Sequence, residues 1–372
     1  MRNTHLSPSA GKQRGAALLI FVIALVMAAS YALLKKVNQV PSDASRDTYS
    51  MQQLKIARDA LRGYALHGLD PVTATVQPGR LPCPDYGTSG NLDGISDPCI
   101  IVGTYVRPGR LPWRTLGLAE LRDGDNEPLW YVPDIQFNGS VAINSSSDVT
   151  TLRVNASVDD IIAIVLSPGA VLASQSRPSG NLVAQLDPAR YFEDINSLAA
   201  TNYVTAPASI STPFNDRLLT IRLNRFMPKL EKRVLRELAN LLGSPPYPAP
   251  APIGSETCDI SPPIDQEGLV PTICATATLP TFPSWFNDIN AWQTLIWYAV
   301  ASSGTLTVEP SSVSTQALLF SPGAQLTGQN RTPVINSASD LLDDGVNTDG
   351  NTTYLEPINS ATNNDQLLIL GP

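Results

Sequence analysis

Cys83 and Cys99 stand at the same separation as Cys258 and Cys274, in two distant parts of a 372-residue chain. Four cysteines permit three pairings. The equal spacing favours Cys83–Cys99 with Cys258–Cys274, each closing a loop of about 15 residues worth about 3 kcal/mol in the chain-entropy account. The alternative is a four-cysteine zinc site, but such sites place paired ligands about two to four residues apart, and none of these cysteines is so placed. Hard oxygen ligands are the other resource. Asp340, Asp343, Asp344, Asn347, Asp349 and Asn351 crowd one segment, DLLDDGVNTDGN, while Asp85, Asn91, Asp93 and Asp97 lie inside the first cysteine loop. Calcium takes about six to eight such oxygens. Neither segment has EF-hand spacing with its closing Glu, and Asp, Asn and Gly are also what solvated turns are made of. The expectation is no cofactor, calcium at Asp340, Asp343, Asp344, Asn347 and Asp349 being the one alternative the sequence leaves open. Catalytic chemistry is sparse: the histidines are His5 and His67, and there is no Gly-x-Ser-x-Gly elbow, phosphate-binding loop or dinucleotide fingerprint. The expectation is a protein that is not an enzyme.

The segments that must position these residues repeat. Cys83 and Cys99 are followed by Leu129-Trp130-Tyr131-Val132, then Ala163-Ile164-Val165-Leu166-Ser167-Pro168-Gly169-Ala170 with Gln175 and Arg177, then Tyr191-Phe192-Glu193 and Asn215-Asp216-Arg217-Leu218-Leu219. Cys258 and Cys274 are followed by Ile296-Trp297-Tyr298-Ala299, then Ala317-Leu318-Leu319-Phe320-Ser321-Pro322-Gly323-Ala324 with Gln329 and Arg331, then Tyr354-Leu355-Glu356 and Asn364-Asp365-Gln366-Leu367-Leu368. Landmarks in one order, some with matched offsets, point to an internal duplication. The period is too long for a solenoid.

A helical stretch precedes each copy. Residues 51–67 place Leu54, Ala57, Leu61, Tyr64 and Ala65 on one broad face, with Gly68 to end the helix; residues 225–242 do the same with Leu230, Val234, Leu235, Leu238 and Leu242 before Gly243. LWYV, DIIAIVL, RLLTI, IWYAV, TLTV, ALLF and LLIL read as strands. Helix plus antiparallel sheet is an α+β arrangement. Ser244–Pro252 (SPPYPAPAP) reads as a stiff extended link. With 43% hydrophobic residues the chain can build a core. The formal charge of −8 argues against nucleic acid as a partner. The five tryptophans, Trp113, Trp130, Trp285, Trp292 and Trp297, read as core anchors.

At the N-terminus a polar leader ends Lys-Gln-Arg-Gly, and an apolar run from Ala16 to Leu34 follows at once. A secretory signal is cut after its apolar stretch; the Gly15–Ala16 junction lies before it. This order resembles the class III signal of type IV pilins and pseudopilins, cut after the glycine by a prepilin peptidase with methylation of the new N-terminus. Leu-Pro-Cys-Pro-Asp (81–85), Leu-Pro-Trp-Arg-Thr-Leu-Gly-Leu (111–118) and Pro-Leu-Trp-Tyr-Val (128–132) look like the ectodomains of large prepilin-like proteins of Gram-negative bacteria. The resemblance implies a leader over 1–15, a transmembrane or filament-core helix over 16–34, and two tandem pilin-like α+β units over 35–224 and 225–372, each a helix packed on an antiparallel sheet. Most pilins carry a glutamate at the fifth mature position, and here that position is Ile20. The minor pseudopilin capping type II secretion pseudopili is similar in lacking it and in having an outsized ectodomain. The implied role is a minor pilin or pseudopilin at the tip or in initiation of a type IV pilus or type II pseudopilus. Its partners would be other pilins, the peptidase and the inner membrane, with the ectodomain periplasmic. The alternative is an inner-membrane-anchored periplasmic binding or adhesion protein that never polymerises.

Overall fold

A computed structural model describes residues 14–39, 43–67, 77–260 and 266–371, apart from 140, 148, 149, 179, 199, 208, 210–212 and 332–334. The leader with Arg2, His5 and Lys12, and the helix terminator Gly68, lie outside the described residues. The chain divides into two compact units, Met1–Tyr49 and Ser50–Pro372.

The first unit is dominated by helix α1, Arg14–Gln39. The expected membrane-spanning helix is corrected here: among the described residues no helix is long and apolar enough to cross a membrane. Side chains of α1 are described over residues 19–31. The helix opens on Arg14 and ends in the polar run Lys35-Lys36-Val37-Asn38-Gln39.

Helix α2, Asp43–His67, leads into the second unit and buries Leu54, Ala57, Leu61 and Ala65 along one stripe. Among the described residues a small hairpin, Ile101–Val102 with Tyr105–Val106, comes next, and six further strands follow: β1 Gly109–Arg110, β2 Trp130–Pro133, β3 Leu152–Val154, β4 Ser157–Ser167, β5 Asn202–Tyr203 and β6 Arg217–Arg222. They form one sheet in the order β1-β2-β4-β3-β5, with β6 also on β4. Helix α3, Leu223–Leu242, comes next. Seven strands complete the chain: β7 Glu267–Leu269, β8 Trp297–Val300, β9 Leu306–Glu309, β10 Val313–Thr315, β11 Ala317–Ser321, β12 Thr353–Leu355 and β13 Gln366–Ile369. These make a four-stranded sheet, β13-β11-β8-β7, and a three-stranded one, β10-β9-β12.

The two halves share connectivity and register. Trp130 opposes Leu166 and Val165 opposes Leu219; Trp297 opposes Phe320 and Leu319 opposes Leu368. The long strand β4 does in one piece what β10 and β11 do in two. It turns out of β3 through Asn155 and Ala156, both at positive φ as a tight primed hairpin requires.

The expectation of two tandem units, each one helix on an antiparallel sheet, is corrected in two respects. The molecule is a mixed α/β structure with several sheets and few helices, and β3–β5 and β9–β12 pair in parallel. The core is also not divided between the repeats. One apolar cluster takes in Leu54 and Leu61 of α2, Tyr131 and Val165 of the first sheet, Phe226, Leu230 and Val234 of α3, and Tyr298, Leu319 and Trp292 of the second half. Helix α3 is the reason: its apolar stripe packs against β4 and β6 and also against β11 and β13. Each half also buries a cluster of its own, around Trp130 and Ile164 in the first and Trp297 and Phe320 in the second, but the sheet faces turned toward α3 are covered by the helix both share. The proline-rich segment 244–252 is built in rather than free, since Ala251 exchanges backbone hydrogen bonds with Leu269 at the sheet edge.

Cys83 bonds to Cys99 and Cys258 to Cys274. The first loop has further ties. The buried Asp85 carboxylate accepts from Gly87 and Gly94 N–H, and Asp97 accepts from Tyr86 N–H. Replacing Cys83 and Cys99 together by Ser is expected to lower the unfolding free energy by about 3 kcal/mol. Urea unfolding under non-reducing conditions reads this; an unmoved midpoint would mean the carboxylates alone hold the loop.

Candidate functional site

Gly15 and Ala16, the expected cleavage and methylation positions, fall in the first turn of α1. Ile20, the fifth residue beyond that junction, is 67% exposed. It is not alone: Leu19, Phe21, Val22, Ile23, Leu25, Val26, Met27 and Tyr31 are also between 50% and 68% exposed. The five consecutive residues 19–23 cover the full circumference of a helix with 3.6 residues per turn, so this described stretch of α1 presents apolar side chains in every direction.

The second set of chemistry-bearing residues lies at two equivalent corners where a strand ends in Ser-Pro-Gly-Ala. In the first, Asn215 Nδ2 donates to Ala170 O, and Arg177 donates to Gly169 O and Tyr191 O. Gln175 Nε2 donates to Tyr191 O and to the Glu193 carboxylate. In the second, Asn364 Nδ2 donates to Ala324 O, and Arg331 donates to Gly323 O and Leu341 O. Gln329 Nε2 donates to Leu341 O and Asp343. Glycine is required at both: Gly169 has φ +61°, and a Cβ at Gly323 would overlap Asn364.

These contacts correct one landmark. The counterpart of Tyr191-Phe192-Glu193 is Leu341-Leu342-Asp343, not Tyr354-Leu355-Glu356. Glu193 N–H donates to Asp216, as Asp343 N–H donates to Asp365. Tyr354 instead matches Tyr203: Asn196 clamps Val204, one residue beyond Tyr203, and Asn347 clamps Leu355 in the same way.

The proposed calcium ligands have other work. Asp340 accepts from Asn330, Asn336 and Ser337 N–H, which pulls its carboxyl below the usual range. Asp343 holds Asn364 N–H and Asp344 caps Val346 N–H. The buried Asn347 is spent on Leu355, and Asp349 binds Asn351. In the first cysteine loop Asp93 accepts from Ile95 N–H. Among the described residues no group of three or more His, Cys, Asp or Glu is placed to hold a metal ion. The melting temperature is expected to be the same in millimolar calcium and in chelator. A calcium-dependent rise of several degrees would overturn this.

Three residues escaped sequence reasoning. Asp123 is buried, and its Oδ2 accepts from Ser167 Oγ at 2.8 Å and Gly169 N–H at 2.9 Å; its Oδ1 takes Asp125 and Glu127 N–H. Seven residues before Trp297, where the second copy should carry the equivalent of Asp123, stands Asn290. It does not serve the second corner. Its side chain accepts from Gln77 Nε2 and Ile143 N–H and donates to Pro78 O, knitting the first half to the second. The second corner is served by Glu231 of α3. Its Oε1 accepts from Ser145 Oγ at 2.9 Å, and Ser145 Oγ lies 3.4 Å from Ser321 Oγ. Burial pushes the Glu231 carboxyl up to about 8. The signal for Asp123 and Asn290 was their common offset from the tryptophans. Nothing local marks Glu231, a charge on an otherwise apolar helical stripe.

Burial also raises Asp216 and Asp365, each pressed further by its neighbour Glu193 or Asp343. Both pairs are enclosed by backbone donors, and their chemistry is that of a corner lock. No known protein family, curated protein or solved structure matches this chain.

Proposed function

We propose that the chain is a structural subunit of a filament outside the cytoplasm: a minor pilin or pseudopilin of the type IV pilus or type II secretion kind, acting at the tip or in initiation. The observation that carries this reading is α1, whose apolar side chains are exposed around its whole circumference. A helix of that kind needs a covering on every side, and like helices packed laterally in a filament core would supply it. The Gly15–Ala16 junction at its start is where a prepilin peptidase would cut. Ile20 in place of an acid suits a subunit with no neighbour above it whose ammonium needs a partner, since a buried charge pair is favourable only when complete. Two disulfides fit an oxidising compartment. The buried carboxylates hold backbone corners and are not assigned catalysis.

The test is intact mass of the full chain, non-reduced, expressed with and without a prepilin peptidase, together with recovery in sheared filaments. The expected result is a species beginning at Ala16 only with the peptidase, abolished by Gly15→Val, and present in the sheared fraction. An uncut chain under both conditions would sink the proposal.

A further inference from the structure

The two Ser-Pro-Gly-Ala corners are built alike, each leaving its Asn amide oxygen (Asn215 or Asn364) buried without a donor, but they differ in the carboxylate that serves the serine. Asp123 satisfies Ser167 and Gly169 and has both its own oxygens occupied. At the second corner the matching residue, Asn290, is turned to Gln77 and Pro78, and the carboxylate comes from Glu231 instead. Glu231 is 1% exposed, and its Oε2 has no hydrogen-bond partner. A cavity of about 400 Å³ adjoins it, walled by Ser145, Asp160, Met227, Glu231, Gly323 and Asn364. Asn364 Oδ1 is also buried without a donor. No lysine or arginine lines this cavity among the described residues. Arg331, behind the corner, is spent on Gly323, Gln329, Asp340 and Leu341. An acceptor-rich, apolar-walled cavity with an unpaired carboxylate at its base lacks one thing: a cationic donor.

We infer that the cavity at the second Ser-Pro-Gly-Ala corner binds a primary ammonium group, of the kind a lysine side chain or a small alkylamine carries, with Glu231 as its counter-ion and Asn364 Oδ1 as a second acceptor. Three N–H donors match an unpaired carboxylate oxygen, an amide oxygen and the Ser145 hydroxyl. Met227 and Leu223 line the side where an alkyl stem would run. Exposed Asp160 at the opening draws a cation inward. The inference rests on the corner alone and is independent of whether the chain enters a filament.

The experiment is calorimetric titration of the full chain with n-butylammonium chloride at pH 7, in two buffers of different ionisation enthalpy. Choline chloride and sodium chloride at equal ionic strength are the controls. The expected result is saturable binding of butylammonium with release of part of a proton as Glu231 ionises, and no saturable binding of choline, which has no N–H to give. Glu231→Gln should weaken binding at least tenfold and abolish proton release. Because a buried variant can misfold, Ala324→Arg at the exposed rim gives a second arm, expected to block binding while leaving the melting temperature unchanged. Nα-acetyl-lysine amide and alanine amide then distinguish a side-chain ammonium from a chain terminus; the lysine derivative should bind the tighter. Equal binding of choline, or binding undiminished in both variants, would overturn the inference.

Discussion

Stability is expected to peak in mildly acidic solution and to fall as the pH rises toward 8. Glu231, Asp216, Asp365 and Asp85 all lie in surroundings that disfavour the charged carboxylate, burial being the leading cause for each. Asp85 is pushed up to about 6 and Glu231 to about 8. An unfolded chain releases these protons near pH 4. Between pH 4 and 8 the native state therefore holds more protons than the unfolded state, and stability drops with rising pH. Each such proton contributes a slope of about 1.4 kcal/mol per pH unit while the difference lasts. The four shifts act in the same direction, so a continuous loss of stability between pH 5 and 8 is expected. Asp340 works in the opposite sense, but its lowered value confines its effect to more acidic solution. Melting curves across this range read the slope. Glu231→Gln should leave the melting temperature unchanged at pH 5 and raise it at pH 8. A profile that is flat or rises from pH 5 to 8 would contradict this assignment of burial.

Trp130→Ala is expected to be the most damaging single substitution in the first sheet. The ring is fully buried, 5.1 Å from Tyr191 and 5.2 Å from Phe192 between centroids. Removing a buried aromatic of this size costs about 3–5 kcal/mol. Here a further effect arises, because the Arg110 guanidinium lies 4.3 Å from the Trp130 ring centroid and 4.4 Å from that of Tyr191. Arg110 is itself buried, donating to Pro128 O and Gln185 O, and loss of the ring strips one face from a desolvated cation. The second sheet supplies a control within the same molecule. Trp297 occupies the equivalent position, but the residue opposing it is Leu269, where Arg110 opposes Trp130. Trp297→Ala should therefore cost less than Trp130→Ala by about 1 kcal/mol, the scale of a partly desolvated cation–ring contact. Urea unfolding of the two variants makes the comparison; equal losses would mean the arginine contributes nothing through the ring.

What could be seen in the sequence followed from how physical constraints print themselves. Strand cores such as Ile161–Leu166 and Ala317–Phe320 are continuous apolar runs because both faces are covered, and runs of that kind stand out. The equal cysteine spacing survived because a loop closed at both ends tolerates little change in length. The Tyr-x-Glu landmark misled because the segment between Gln and its carbonyl partner differs in length, reaching from Gln175 to Tyr191 in one half and from Gln329 to Leu341 in the other. Tyr354 then supplied a coincidental match. An even spacing that could have corrected it, Asn196 to Tyr203 and Asn347 to Tyr354, was there to be used. Short strands such as β5 and β12 carry too few residues to show a period. The shared core was hidden for another reason: an amphipathic stripe on α3 says that the helix is covered, and not by how many sheets.

That one helix lies beneath both sheets has a bearing on how such a chain can change. A duplicated segment ordinarily remains separable, free to be shed, exchanged or borrowed by another gene. Here the second copy's helix has become the first copy's floor, and Asn290 has left its own corner to fasten the seam. Cutting the chain after Arg222 would leave the apolar faces of β4 and β6 open to water rather than free a smaller working protein. Heredity has to carry the two copies as one object.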